Sequence, residues 1–440
     1  MEKTLNKYSA WHNLLLVIFL VSLFQLAYQI PNRSDIWGIW LRLGLAFTSY
    51  FLILFKFNKD EFVIGNNLLL IFSRLLILFS FPLLSDDIYR FIWDGSLMHH
   101  GINPFSATPL QLMQQNLQWI DSTLFENMNS KAYYSVYPPI NQLAFYLSAI
   151  PGKGNLLASA IILRIFILAF DFGNIYLIRK LLKFYKKDKK LIYLYALNPL
   201  VIVEFAGNLH FEAVMIFFTL LSIWLLLHDK WIWAAIALSL AINAKLLPLI
   251  FFPLFIHHIG LKKSVYAGFI VAACVIIPFF PFLHQPQYLE NFISSLQLYY
   301  GKFEFNGSIY QLLKQAGWKI LNYNPIEYTS KILLALTLMG FLITYVKSKN
   351  MIEGVFWLMF IYTICGAIVH PWYMLILVAF TPFLKYRFAL VWSVLICLSY
   401  YTYRVIPYDE NLYLVLVEYV LLGCFMAYEL VIKPSKREVL

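Results

Sequence analysis

The chain has 440 residues, of which 61% are hydrophobic and 13% charged, against roughly 45–50% apolar and about 25% charged in an ordinary soluble domain. That composition excludes a soluble protein; apolar runs follow one another from residue 12 to residue 432 with no linker, repeat or low-complexity tract between them, so one polytopic membrane body over residues 1–440 is expected. The excess of 34 Lys and Arg over 23 Asp and Glu lies in short segments between apolar runs, above all Arg179, Lys180, Lys183, Lys186, Lys187, Lys189 and Lys190. No aromatic residues interleave there to stack bases, so the excess reports cytoplasmic segments and no nucleic-acid partner.

Runs at 12–30, 37–57 and 62–84 predict three membrane helices. The first is expected to be retained, because it is too long for a signal-peptide core and carries no small-x-small cleavage site. With Lys3 and Lys7 cytoplasmic, the polar stretch Ser85 to Tyr137 becomes a large external loop. The apolar piece 139–150, about 12 residues between Tyr137-Pro138-Pro139 and Pro151-Gly152, is too short to span and predicts a re-entrant or interfacial helix. Runs at 158–180, 191–206 and 211–228 follow. Segment 231–259 is basic on both flanks, at Lys230 and at Lys262-Lys263, and should cross twice with Asn243, Lys245 and Pro248 near its turn. Runs at 264–283, 329–346 and 352–370, a short one at 372–384, and those at 388–404 and 411–432 complete about 12 to 14 crossings, with both termini cytoplasmic. Cys274, Cys365, Cys397 and Cys424 all lie inside apolar runs without CxxC spacing and read as small core residues.

This topology gathers the unusual polar residues on one side, in 85–137, 207–210, 284–310, and the pair His370–Tyr373 with Arg404–Asn411. The strongest local signal is Ser85-Asp86-Asp87-Ile88-Tyr89-Arg90-Phe91-Ile92-Trp93-Asp94-Gly95, directly after the third run. Adjacent helical side chains point about 100° apart, so one carboxylate can face a reacting hydroxyl while the other holds backbone or Arg90. Capping of a helix over 87–100 by Ser85 and Asp86 is the plain structural alternative. The groups on that side that could meet an anion are Arg90, Lys245, His370 and Arg404. Lys245 stands out because an ionisable side chain inside an apolar segment costs about 2.5–3.5 kcal/mol on insertion scales, with snorkelling from a short helix end as its alternative. Glu204, Asn208, His210 and Glu212 surround Gly207 and could hydrogen-bond a polar ligand or form an ordinary interfacial turn. A divalent metal is supported by no HxxxH or compact carboxylate spacing, and no cofactor is expected. Arg42, Arg74, Arg164 and Asp171 read as structural.

In chain order, SDDIYRFIWDG, HHGINPF, YPPINQL, NPLVIVEFAGNLHFEAV, AINAKLLPL, FNGSIYQLL and HPWYM resemble the polyprenol-phosphate-dependent membrane mannosyltransferases of the GT-C class, over about residues 81 to 384. The resemblance implies an all-α GT-C-like bundle. It implies an enzyme that passes mannose from a polyprenyl-phosphate donor to a lipid or glycan acceptor, with inversion, on the outer face of a bacterial plasma membrane. In that class an acid of the first large external loop is the general base, a role that falls on Asp86. Here the loop follows the third apolar run rather than the first, which leaves the choice between Asp86 and Asp87 open. The candidate set is then Asp86 and Asp87 for catalysis, Arg90, Lys245, His370 and Arg404 for the donor phosphate, and Tyr89, Glu204, Asn208, His210, Glu212, Asn306, Trp372 and Tyr373 for sugar and acceptor. Two alternatives stand beside this one. A lipid-linked sugar flippase or small-solute transporter would favour matching broken helices in two halves, whereas the break at Asn243 to Pro248 has no counterpart. A lipid-linked glycan polymerase or ligase would use a similar donor with a polymeric acceptor.

Overall fold

The computed structural model describes residues 2–30, 32–56, 63–82, 84–115, 117–323, 325–406 and 408–432. The described residues are predominantly helical and contain no strand, only isolated bridges from Phe305 and Asn306 to Ile368. Six helices among them are long and apolar enough to cross a bilayer: Ala10–Tyr28, Ile36–Phe55, Leu156–Phe184, Leu247–Leu283, Ile326–Lys347 and Leu412–Ile432. The pair Lys189–Ala196 and Pro199–Gly207, bent by 57°, is a seventh candidate if counted as one broken span.

This is fewer than the expected crossings, and helix length accounts for the difference. Val63–Leu75, Glu212–Leu226, Trp231–Ala244 and Met351–Ile364 have 13, 15, 14 and 14 residues, and at 1.5 Å per residue each rises roughly 20 Å, short of the ~30 Å hydrocarbon core. Pro371–Phe383 is likewise a shorter apolar helix, and the run at 388–404 divides into the α-helix Phe388–Leu395 and the 3-10 helix Ile396–Arg404. The short helix expected at 139–150 is present as Pro139–Ser148. The break expected near Lys245 is also present: Trp231–Ala244 ends there in extended backbone (φ −158, ψ 131), and Leu247–Leu254 continues as a 3-10 helix.

The chain divides into two compact units, each assembled from distant stretches: Met1–Leu84, Phe172–His210 and His370–Leu440 in the first, Ser85–Asp171 and Phe211–Val369 in the second. In the first unit several buried polar groups find partners within the chain, as apolar surroundings favour. Buried Arg74 donates from Nη1 to the carbonyls of Leu70 (2.9 Å) and Ala196 (2.8 Å), and the Tyr50 hydroxyl donates to the Leu194 carbonyl at 2.7 Å. Glu418 accepts the Trp392 indole N–H at 2.9 Å, and Glu429 accepts the backbone N–H groups of Arg387 (2.8 Å) and Phe388 (2.9 Å). The last pair supplies from a distant helix what a side-chain cap would supply locally. The bend of 57° has a local cause: Asn198 Oδ1 accepts the Leu200 and Val201 amides at 3.0 and 3.4 Å, and Pro199 starts the next helix without an amide to satisfy.

In the second unit the helix Asp87–His99 packs on Pro139–Ser148. Phe91 stacks on Phe145 with ring centres 4.5 Å apart, and Tyr137 and Phe211 meet Phe91 edge-on at 5.2 and 5.5 Å. The helix stops where the sequence indicates, because Gly101 adopts φ +71 and the Ile102 amide returns to the Leu97 carbonyl at 2.9 Å. Gly95 lets the two backbones approach, since a β-carbon there would sit 2.1 Å from the Phe145 carbonyl oxygen. Gly95→Ala should therefore lower the unfolding temperature, an overpacking cost on the order of 1–3 kcal/mol. Gly44→Ala, where nothing lies within 4 Å of the added methyl, should be neutral or stabilise by about 0.5–1 kcal/mol as a helix-interior change. Thermal unfolding of the two variants side by side in detergent checks this, and equal behaviour would show that Gly95 is not the contact that sets the spacing.

Candidate active site

The acid pair begins the helix Asp87–His99, at the end where the helix dipole favours negative charge. Asp86 occupies the cap position (φ −88, ψ 0), but its side chain makes no capping hydrogen bond; the Ser85 hydroxyl instead accepts the Asp87 amide at 3.3 Å. Capping thus falls to Ser85 and does not account for Asp86. Asp86, Asp87 and Tyr89 are each half-buried, while Ile88 and Arg90 are buried.

Arg90, expected to face the donor phosphate, is turned inward and 2% exposed. Its Nε pairs with Asp94 Oδ1 at 2.7 Å, and its Nη1 donates to the carbonyls of Tyr133 (2.9 Å) and Ser130 (3.3 Å). Asp94 in turn accepts from the Ser135 hydroxyl at 2.5 Å and from Gln142 Nε2 at 3.1 Å. This network ties the acid-bearing helix to the stretch 130–137 and to the helix Pro139–Ser148, and Arg90 is its clamp. Sequence reasoning passed over Asp94, although its place four residues after Arg90 is the spacing at which a helical ion pair forms.

Lys245 is ion-paired to Glu212 through Nζ and Oε1, with the lysine side chain 33% exposed and the glutamate buried. The pair bridges the start of Glu212–Leu226 and the end of Trp231–Ala244, which explains a charge inside an apolar segment better than snorkelling alone. Glu212 is thus engaged with Lys245 rather than with the turn at Gly207. Asn306 is buried and adopts φ 52, a left-handed conformation that Asn tolerates better than most residues. Around it Phe305 exchanges backbone hydrogen bonds with Ala367 (3.0 Å) and Val369 (2.7 Å).

In the first unit, Glu204 is completely buried on a π-helical turn, Val203–Gly207, a geometry that recurs at functional positions. Its Oε1 accepts the Tyr400 hydroxyl, and its Oε2 accepts Asn208 Nδ2 at 3.2 Å and lies 3.0 Å from His210 Nε2. Leu209, between those two residues, is held at φ 67, a strained conformation for a leucine that the surroundings must impose. Asn208 Oδ1 also accepts the Leu84 amide at 3.3 Å. Of the four polar residues grouped from the sequence, Asn208 and His210 therefore converge on the carboxylate of a third, Glu204. Tyr400, 196 residues from Glu204, gave no signal that could have revealed its role.

Both His210 and His370 stack on Trp372, with ring centres 3.9 and 4.2 Å away and planes inclined by 19° and 13°. On one face the two imidazoles would lie within about 4 Å of each other side by side, too close for non-bonded rings, so they cover opposite faces. Trp372 can offer a substrate its edge but no stacking face. His370 Nδ1 lies 3.0 Å from the Tyr403 hydroxyl, and buried Tyr373 meets His370 edge-on at 5.6 Å. Arg404 lies over the Tyr401 ring at 3.7 Å and pairs with Asp409 at 2.9 Å. Among the described residues no group of three or more His, Cys, Asp and Glu could hold a metal ion.

Residues 67–260 match the model of the MptA_B family, described as alpha-(1->6)-mannopyranosyltransferase, N-terminal domain. The matched stretch contains the acid pair, the Arg90–Asp94 network, Glu204 and Lys245. It supports a membrane mannosyltransferase family of the GT-C class, and so a glycosyltransferase enzyme. A search of curated proteins gives no match.

Asp94→Ala would leave the Arg90 charge buried without its partner and should cost about 3–5 kcal/mol. Asp94→Asn, which keeps an acceptor, should cost less. Thermal unfolding in detergent separates these outcomes, and an unchanged transition in Asp94→Ala would remove Arg90 from the role of clamp.

Proposed function

Taking the chain as a membrane mannosyltransferase, we propose that it moves mannose from a polyprenyl-phosphate donor to a hydroxyl of a lipid or glycan acceptor, on the non-cytoplasmic side of a bacterial plasma membrane. One carboxylate of the pair Asp86 and Asp87 takes the acceptor proton as its oxygen attacks the anomeric carbon, and the bond from that carbon to the phosphate breaks with inversion. The observation that carries this reading is the acid pair itself. It is half-buried at a helix N-terminus with capping left to Ser85, and it lies inside the stretch that matches a mannosyltransferase domain. A base must lie within hydrogen-bond reach of the proton it removes, and the Arg90–Asp94 network holds the backbone that carries both carboxylates.

The departing phosphate needs positive charge or donors aimed at it. Lys245 is assigned to this task because a third of its side chain stays exposed while Glu212 keeps its charge matched. His370 and Arg404 are proposed as further anion-binding groups of their own unit, whereas Arg90 is left out because its guanidinium is enclosed. Tyr89 and Asn306, and the cluster of Glu204, Asn208, His210, Trp372 and Tyr373, are assigned to sugar and acceptor recognition, with Glu204 acting through Asn208 and His210. An alpha-linked product formed with inversion requires a donor of beta configuration, so the alpha-configured donor should not be used.

The test is transfer by purified protein in nanodiscs from radiolabelled polyprenyl-phosphate mannose to a membrane lipid extract. Label should move to a new product, and either Asp86→Asn or Asp87→Asn should slow the transfer by about 10²–10⁴-fold with donor binding retained. Full activity in both variants would falsify the base assignment, and a labelled donor that crosses the bilayer unchanged would favour a carrier.

A second comparison isolates Lys245. The double variant Glu212→Gln with Lys245→Gln removes both charges of the pair and so avoids leaving either one uncompensated. It should fold with a near-native unfolding temperature yet turn over the donor at least about tenfold more slowly, the scale of one lost charge-assisted contact to the leaving group. Native turnover in that variant would make the pair purely structural.

A further inference from the structure

The helix Ser308–Leu321 in the second unit carries a surface that the catalytic reading does not use. On one side it is packed: Tyr310 and Leu313 belong to a core cluster with Leu333 and Ile361, and Gly317 meets Pro325 so closely that a β-carbon would lie 2.8 Å from the proline ring. That approach lays the helix directly against the start of the membrane-spanning helix Ile326–Lys347. Leu312, Ala316 and Ile320, spaced at i, i+4 and i+8, form a second stripe beside the packed one. They are exposed, Leu312 by 67% and Ile320 by 78%. Gln315 and Lys319 occupy the next part of the circumference and are exposed as well, and exposed Trp318 and Tyr323 flank the C-terminal end.

We propose that this helix is an interfacial one, with the Leu312, Ala316 and Ile320 stripe seated in the lipid headgroup and upper acyl region and with Gln315 and Lys319 facing water. The occupant is argued from continuity. The neighbouring span exposes Ile332, Leu334, Leu338 and Leu342, which in a membrane protein face lipid, and the stripe extends that apolar surface around a tight turn in which Asn322 adopts φ 55. Trp and Tyr at the end and a lysine on the polar face are the residues that favour a membrane boundary.

The seat has a structural consequence at the other end of the helix. Glu304 accepts the Tyr310 hydroxyl at 2.6 Å and pairs with Lys314, and the Ser308 hydroxyl donates to the Ile364 carbonyl at 2.7 Å. The backbone around Asn306, bonded to Ala367 and Val369, is therefore held by a helix that itself rests on lipid. Because Lys314 is neutralised by Glu304, Lys319 is the lysine of the helix whose charge is left toward the headgroups, and attachment should depend more on the apolar stripe than on anionic lipid.

The test is independent of the reaction. In a background with Cys274 and Cys424 changed to Ser, which keeps the buried Cys365 and Cys397, cysteines introduced one at a time at Leu312, Gln315, Ala316, Lys319 and Ile320 are spin-labelled in nanodiscs of phosphatidylcholine, with and without a fifth of phosphatidylglycerol, and the background itself is the labelling control. Relaxation by oxygen, which partitions into lipid, is compared with relaxation by a water-soluble nickel chelate. All five side chains are exposed, so the label does not disturb the packed side. The oxygen-to-nickel ratio should be at least about threefold higher at positions 312, 316 and 320 than at 315 and 319, with little change on adding anionic lipid. Uniformly high nickel accessibility would place the helix in water, and uniformly high oxygen accessibility would place it within the hydrocarbon; either result overturns the proposal.

Discussion

Most of the structure answers to one constraint: a charge that leaves water inside an apolar body must find its partner within the same chain. Arg90 with Asp94, and Lys245 with Glu212, are ion pairs drawn from different turns or different helices. Arg74 finds two carbonyls, and Glu429 finds two backbone amides. Lys245 with Glu212, Arg74 and Glu429 join elements that hydrophobic burial alone would leave free to slide, and the Arg90–Asp94 pair, itself within one helix, does so through Tyr133, Ser135 and Gln142, since neighbouring apolar helices gain little from one another that lipid does not already offer. The polar contacts are thus what give the helices a definite register.

The same constraint organises the candidate site. The helix that carries Asp86 and Asp87 is anchored where Arg90, Asp94, Ser135 and Gln142 form a linked hydrogen-bonding set, while its first turn keeps both carboxylates half-buried. An acid that must accept a proton from an incoming hydroxyl has to remain accessible yet hold its position, and a rigid inward face with an open first turn meets both demands. In the other unit Glu204 follows a different plan. Enclosed by Tyr400, Asn208 and His210, it acts through those neighbours, and the strained Leu209 and the π-helical turn show that the backbone is shaped around it. The double stack of His210 and His370 on Trp372 then makes a rigid aromatic block whose edge, not its face, is available.

Helix length was harder to read than helix existence. Apolar runs located the long apolar helices but not Pro286–Lys302 or Ser308–Leu321, which lie in and after a stretch read only as polar, and the breaks at Gly101, Lys245 and Asn198-Pro199 each have a residue-level cause visible in the chain. Yet several runs that looked like full crossings contain helices of 13 to 15 residues, because hydropathy is insensitive to where a helix ends. A 3-10 segment or an extended residue leaves the apolar count of a run unchanged while shortening the rod inside it.

The sequence by itself determined the membrane character, the all-helical class and the family resemblance. It also marked the acid pair, Lys245 and the polar group around Gly207, because charged residues inside or beside apolar runs stand out against their local background. Only the tertiary structure decided which of these charges are used up. It turned Arg90 from a phosphate candidate into an enclosed clamp, gave Glu212 to Lys245, and brought Tyr400 to Glu204 across 196 residues. Those outcomes depend on which helix lies beside which, and no local pattern encodes that choice. It is settled by packing and by the pairing of buried polar groups across the whole chain.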